Sequence, residues 1–201
     1  LCRATTTTCC NSNRRMSSLD RKPNLEEIVA LPKALLHDHL DGGLRPQTII
    51  DIAQEIGYEK LPTTNPEALA DWFAESCDSG SLVRYLETFD HTIAVMQRRE
   101  DLIRVARECV IDLARDGVVY AEVRGAPELF TSGGLSIDKV VEATLEGYKQ
   151  GEEIAASEGH SIRVESILCA LRQNHRDRDA AKAVVKLSLI HISEPTRRYA
   201  I

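Results

Sequence analysis

Two histidines set two positions apart, His37 and His39, close the apolar run Leu35-Leu36 and precede Asp41 and the Gly42-Gly43 pair. On an extended strand residues i and i+2 share a face. The spacing therefore predicts that His37 and His39 reach one metal ion, with Asp41 next on the same face. Imidazole suits zinc, and a catalytic zinc takes about three protein ligands plus an open position for water. The pair supplies two. The competing reading of His-x-His is two solvated or hydrogen-bonded imidazoles near a strand end. His91, His160 and His175 are weaker ligand candidates. His91 falls on the face of its helix opposite Leu82 and Phe89, His160 follows Glu158-Gly159, and His175 sits in the polar loop after a third strand. An exposed histidine is expected at each of the three.

These side chains must be carried by elements that the hydrophobic pattern makes legible. Three runs read as strands: Ala34 to Leu40, Val118 to Val123, and Ile162 to Leu171. Their β-branched and apolar content suits strands buried on both faces. Helical periodicity fills the gaps. Pro46 to Ile56 begins with proline in its first turn, and Pro66 to Phe73 follows Asn65, a good N-cap. Further helices are expected over Ser81 to Met96, Leu102 to Ala114 and Ile137 to Ala156, with another starting near Asp177. The order is strand, several helices, strand, helix, strand, helix, which argues for parallel βα units. Helical insertions after the first strand can cap the C-terminal ends of the strands, where α/β barrels place their sites.

Composition narrows the function. The chain has 201 residues, 43% hydrophobic and 28% charged, with a net charge of −6. No basic block recommends a nucleic-acid partner, and no apolar run reaches the roughly 20 residues that span a bilayer. None of the six cysteines (Cys2, Cys9, Cys10, Cys77, Cys109 and Cys169) makes a Cys-x-x-Cys pair. Cys109 and Cys169 lie in apolar periodic segments and are expected as buried free thiols. Without the apolar core of a signal peptide, the chain reads as cytoplasmic, with reduced cysteines.

Both ends differ from the middle. Residues 1–15 show no period, and Met16-Ser17-Ser18 makes a normal start. The leader is expected to be translation from upstream of the true start, the alternative being a disordered arm or a transit peptide. At the other end, Leu187 to Arg198 resembles translated adapter sequence from DNA library preparation, so residues 187–201 are expected to be an artefactual tail and His191 is not a ligand candidate. The alternative is a short apolar strand ended by Pro195. Residues 16–186 then form the domain, shorter than the about 250 residues of a complete α/β barrel.

Several separated motifs resemble the adenosine deaminase family. They are Leu31-Pro32-Lys33 with His37-Asp38-His39-Leu40-Asp41-Gly42-Gly43-Leu44-Arg45-Pro46, then Ser81-Leu82 to Phe89, then Gly117 to Arg124 with Pro127, then Ser166 to Cys169. The resemblance implies the N-terminal part of a zinc-containing (β/α)8 barrel, incomplete in this chain, with helical insertions after strand one. It implies hydrolysis of adenosine or deoxyadenosine to inosine or deoxyinosine with release of ammonia. By motif, His37 and His39 are the expected zinc ligands. His39 and Asp41 are expected to meet the nucleoside, Asp41 at the ribose. Leu82, Tyr85, Leu86 and Phe89 resemble the apolar helix lining the entrance of the purine pocket, although the same spacing packs a helix on a core.

The family's later His-Ala-Gly-Glu motif, its later histidine and its Asp-Asp pair have no counterpart here. They carry the general acid and the remaining metal ligands, so no catalytic residue is assigned in this chain. Glu122 and Glu165 lie on strands but match none of these motifs. The polypeptide is expected to be inactive, poorly soluble because an unclosed parallel sheet leaves a bare edge, and a weak zinc binder. The alternatives are a deaminase of adenine or another aminopurine, a non-catalytic metal-binding fragment, and a generic α/β domain.

Overall fold

The computed structural model describes Lys22, residues 24–171 and residues 182–187. The leader 1–15, Cys2, Cys9, Cys10, His175, His191 and the tail beyond Leu187 lie outside the described residues. The described residues fall into two compact units, one ending at Leu31 and the other beginning at Pro32.

Within the first unit, α1 (Leu25–Val29) is held by a reciprocal cap. The Asn24 side chain accepts from the Glu27 amide and the Glu27 carboxylate accepts from the Asn24 amide. An Asn three residues before a Glu is a readable signal for this arrangement, and it adds a helix that periodicity alone does not predict.

The second unit runs β1 (Lys33–His39), a 3-10 turn (Leu40–Gly42), α2 (Pro46–Ile56), α3 (Pro66–Cys77), α4 (Leu82–Ala94), α5 (Arg99–Arg115), β2 (Val118–Gly125), a second 3-10 turn (Pro127–Phe130), α6 (Ile137–Ser157) and β3 (Arg163–Leu168). Residues 182–187 are helical. Local chemistry sets the boundaries. Asn65 Oδ1 accepts from the Ala68 amide at 2.9 Å and Pro66 opens α3. Nothing between Phe73 and Cys77 breaks a helix, so α3 outruns its expected end. At the close of α2, Gly57 takes φ +69°, the left-handed cap that glycine adopts without a Cβ penalty. Arg98 Nε donates to Asp101 Oδ2 at 2.7 Å at the start of α5, and the helix starts three residues before its apolar stripe.

The sheet is parallel, in the order β1-β2-β3. Consecutive neighbours in chain order, with α5 and α6 packed on each other between them, make the winding of a barrel rather than a doubly wound sheet. The two helices approach closely. A Cβ on Gly147 of α6 would lie 2.6 Å from Ala106 Cβ, and one on Gly151 would lie 2.6 Å from Val110 Cβ. Val118, Ala121, Val123 and Val164 join Leu102, Ala106, Val110 and Val140 in the core.

The strands are not buried on both faces, contrary to the expectation from their composition. Burial alternates along β2, and Leu36 of β1 is 62% exposed. The helices cover one face, and the other, which in a closed barrel is packed by the remaining strands, stands uncovered among the described residues. No helix of the described residues is long and apolar enough to cross a membrane.

Candidate metal centre

His37 and His39 lie at the C-terminal end of β1, as the sequence requires, but period-two alternation is not what brings them together. The β1–β2 register passes from Leu36 opposite Glu122 to Asp38 opposite Val123, so His37 is the extra residue of a bulge. Its φ is +68°, and among the described residues it alone of the non-glycine residues has a positive φ. Such backbone costs energy and clusters at functional sites. The imidazole centroids stand 5.4 Å apart, tilted by 49°.

Both rings address one point. Arg124 sits opposite His39 in register. Its Nη1 lies 3.1 Å from His39 Nε2 and 3.5 Å from His37 Nε2. A guanidinium only donates, so both Nε2 atoms accept, with their lone pairs turned to the same place. Sequence reasoning missed Arg124. The available signals were its place at the end of the Gly117–Arg124 motif and of the neighbouring parallel strand.

Asp41 also departs from its expected placement. The strand ends at His39, and Asp41 belongs to the following 3-10 turn. The geometry nonetheless keeps it beside the pair, with Asp41 Oδ1 3.8 Å from His39 Nδ1. Leu40, 2% exposed in the core, anchors this turn. Burial pushes the Asp41 carboxyl above its ordinary range, with His39 and Arg124 opposing. Burial pulls His39 below the ordinary imidazole value, reinforced by Arg124 and opposed by Asp41.

The stripe Leu82, Tyr85, Leu86 and Phe89 does not pack on the core. Leu82 is 70% and Leu86 52% exposed, while α4 buries Thr88 and Thr92 on another face. Phe89 reaches the turn that carries Asp41. A Cβ on Gly42 would sit 3.9 Å from Phe89 Cε1 and 3.4 Å from His39 Cβ. The stripe thus leads away from the histidines as an open apolar face.

The other expectations divide. His91 is half-buried rather than exposed. Its Nδ1 is 2.9 Å from Tyr58 Oη and its ring meets Trp72 edge-on. With Tyr58, Trp72, Glu87 and Asp90 it lines a cleft of about 480 Å³, on the side of α4 away from Leu82 and Phe89. His160 is half-buried. Cys109 and Cys169 are free thiols, but partly rather than fully buried. The Cys109 thiol is pushed up to about 12 by its apolar surroundings.

As a metal site the donors fit in kind but not in number. Two imidazole nitrogens aim at one point, as zinc ligation requires. Among the described residues no group of three or more His, Cys, Asp or Glu is arranged to hold a metal ion.

Comparison with known proteins identifies the family. The profile of the family described as adenosine deaminase matches residues 32–194. The chain is 52% identical over 166 residues to adenosine deaminase 1 of Streptomyces coelicolor, covering 83% of this chain and 42% of that protein. It is 55% identical over 163 residues to the adenosine deaminase of Mycobacteroides abscessus, covering 81% and 45%. Among solved structures it superposes on Arabidopsis N6-mAMP deaminase MAPDA with a TM-score of 0.65 at 30% identity, covering 83% of this chain and 48% of that one. The chain spans less than half the length of these relatives. Its sheet order, its histidine-bearing first strand and these matches together place the chain in the adenosine deaminase family, as an N-terminal part of the (β/α)8 barrel.

Proposed function

We propose that the whole protein containing this segment is a zinc-dependent hydrolase that deaminates adenosine or deoxyadenosine to inosine or deoxyinosine, in cytoplasmic purine salvage. The observation that carries this reading is the convergence of the His37 and His39 Nε2 atoms on one point beside the buried Asp41.

When bound, zinc supplies a Lewis acid that lowers the pKa of water to about 7. His37 and His39 would hold it through Nε2. Asp41, in the turn anchored by Leu40, would accept a hydrogen bond from a ribose hydroxyl, with His39 beside it. Phe89 borders the same turn, and Tyr85, Leu86 and Leu82 extend an apolar face suited to a flat purine. No described residue is assigned the acid that protonates the purine ring or a third metal ligand. The chain by itself is therefore proposed to be inactive.

Adenosine is favoured over adenine or another aminopurine because the curated relatives at 52% and 55% identity are named adenosine deaminases, whereas the N6-mAMP deaminase stands at 30%. The test is a chimera joining residues 32–186 to the second half of the Mycobacteroides abscessus enzyme. Ammonia release from adenosine, lost in the His39→Ala chimera, is expected. A folded, zinc-loaded chimera that leaves adenosine intact but consumes adenine or N6-methyl-AMP would move the assignment to that substrate. One that consumes none of the three would refute the deaminase reading.

A further inference from the structure

We infer that Arg124 is a positioning residue that holds the metal point with its own charge: its guanidinium keeps the Nε2 lone pairs of His37 and His39 turned to one place and must leave before a metal ion binds there. The inference rests on the proposed metal role of the two histidines.

The argument is one of donors and acceptors. Nη1 of Arg124 carries two hydrogens, and the two ring nitrogens nearest it are His39 Nε2 at 3.1 Å and His37 Nε2 at 3.5 Å. Arginine has no acceptor and keeps its proton. Each imidazole accepting from Arg124 is therefore neutral, with its lone pair at Nε2 and its proton at Nδ1. That is the tautomer needed for metal ligation through Nε2.

Neither partner is placed by chance. Arg124 is fixed opposite His39 by the β1–β2 register, and its strand is held on the far side by pairing with Ile167 of β3. His37 reaches the same nitrogen only because the bulge sets its backbone at φ +68°. A divalent cation bound to both Nε2 atoms would need the same lone pairs and would be repelled by the guanidinium. Metal entry and the Arg124 contact thus exclude each other.

The test uses the metal-free 201-residue chain and its Arg124→Met and Arg124→Lys variants, each checked for cooperative unfolding. Long-range proton–nitrogen spectra at about pH 8, above the imidazole range, are expected to show both histidines as Nδ1–H tautomers in the parent chain and a mixture in Arg124→Met. Competition with a chromophoric chelator is expected to show zinc bound about tenfold more tightly by Arg124→Met, the loss of one charge-assisted hydrogen bond to be displaced. Arg124→Lys should fall between the two. Unchanged tautomers, or zinc affinity unchanged or weakened in Arg124→Met, would overturn the role of Arg124 and leave the metal reading intact. Failure of every form to bind zinc would overturn the metal reading and this inference with it.

Discussion

Asp41 Oδ1 lies 3.8 Å from His39 Nδ1, in a turn where the Asp41 side chain is only 11% exposed. Under the proposed function, a buried acid beside a ring whose other nitrogen faces Arg124 would join substrate contact and metal ligation in one short segment. Replacing Asp41 by Ala in the chimera should lower kcat/KM for adenosine about 10- to 100-fold, the range for losing a hydrogen bond to a charged group. The loss should fall mainly on KM. Steady-state kinetics check this, and an unchanged KM would remove Asp41 from the ribose.

His91 gives a pH signature away from the metal point. Burial holds its imidazole below the ordinary value of 6.5, although Asp90 pulls the other way. The unfolded chain therefore takes up this proton first as pH falls through about 6.5. Over that window the unfolded state binds more protons than the folded state, so stability decreases as pH falls. Urea unfolding from pH 7.5 down to 5.5, values spanning roughly one unit either side of the imidazole range, should show this decrease in the parent chain and a smaller one in His91→Gln. Equal slopes would contradict it.

The α5–α6 contact is tight enough to predict a cost for a single methyl. Gly147→Ala would place a Cβ 2.6 Å from both Ala106 Cβ and the Ile103 carbonyl oxygen. Because the helix backbones must separate to accept it, a loss of about 1–3 kcal/mol is expected. Denaturant midpoints measure it, and a neutral substitution would mean that the helices pack less closely than described.

The apolar stripe of α4 should separate stability from binding. Leu86 is 52% exposed, whereas Leu102 is fully buried. Leu86→Ala is expected to change the stability of the chain by less than about 0.5 kcal/mol, and Leu102→Ala to cost about 2–5 kcal/mol. In the chimera Leu86→Ala should instead weaken adenosine binding. A large stability loss at Leu86 would return the stripe to the core.

Helix positions were legible from apolar periodicity and, at α3, from the local preference of the Asn65 cap, whereas the Ser81 and Ser136 caps emerged only in the structure. The parallel order followed from the alternation of periods. The burial of the strands was not legible, because Leu36 and Val119 have the composition of a core while the covering for their face is absent among the described residues. The histidine pair was found from spacing, yet its geometry depends on a bulge that spacing does not encode. His37 reaches its partner through a positive φ, and Asp41 through a turn rather than a strand. Arg124 escaped notice because its role arises from register with a residue 85 positions away. The half-buried setting of His91 depends on Tyr58, 33 positions away, and helical periodicity carries no trace of that contact.

Zinc binding by the 201-residue chain tests the central claim most directly. Titration against a chromophoric chelator is predicted to show one weakly held zinc per chain, lost in both His37→Ala and His39→Ala while each variant still unfolds cooperatively. Zinc binding that survives both substitutions, or none in the parent chain, would contradict the assignment of this pair as half of a metal centre.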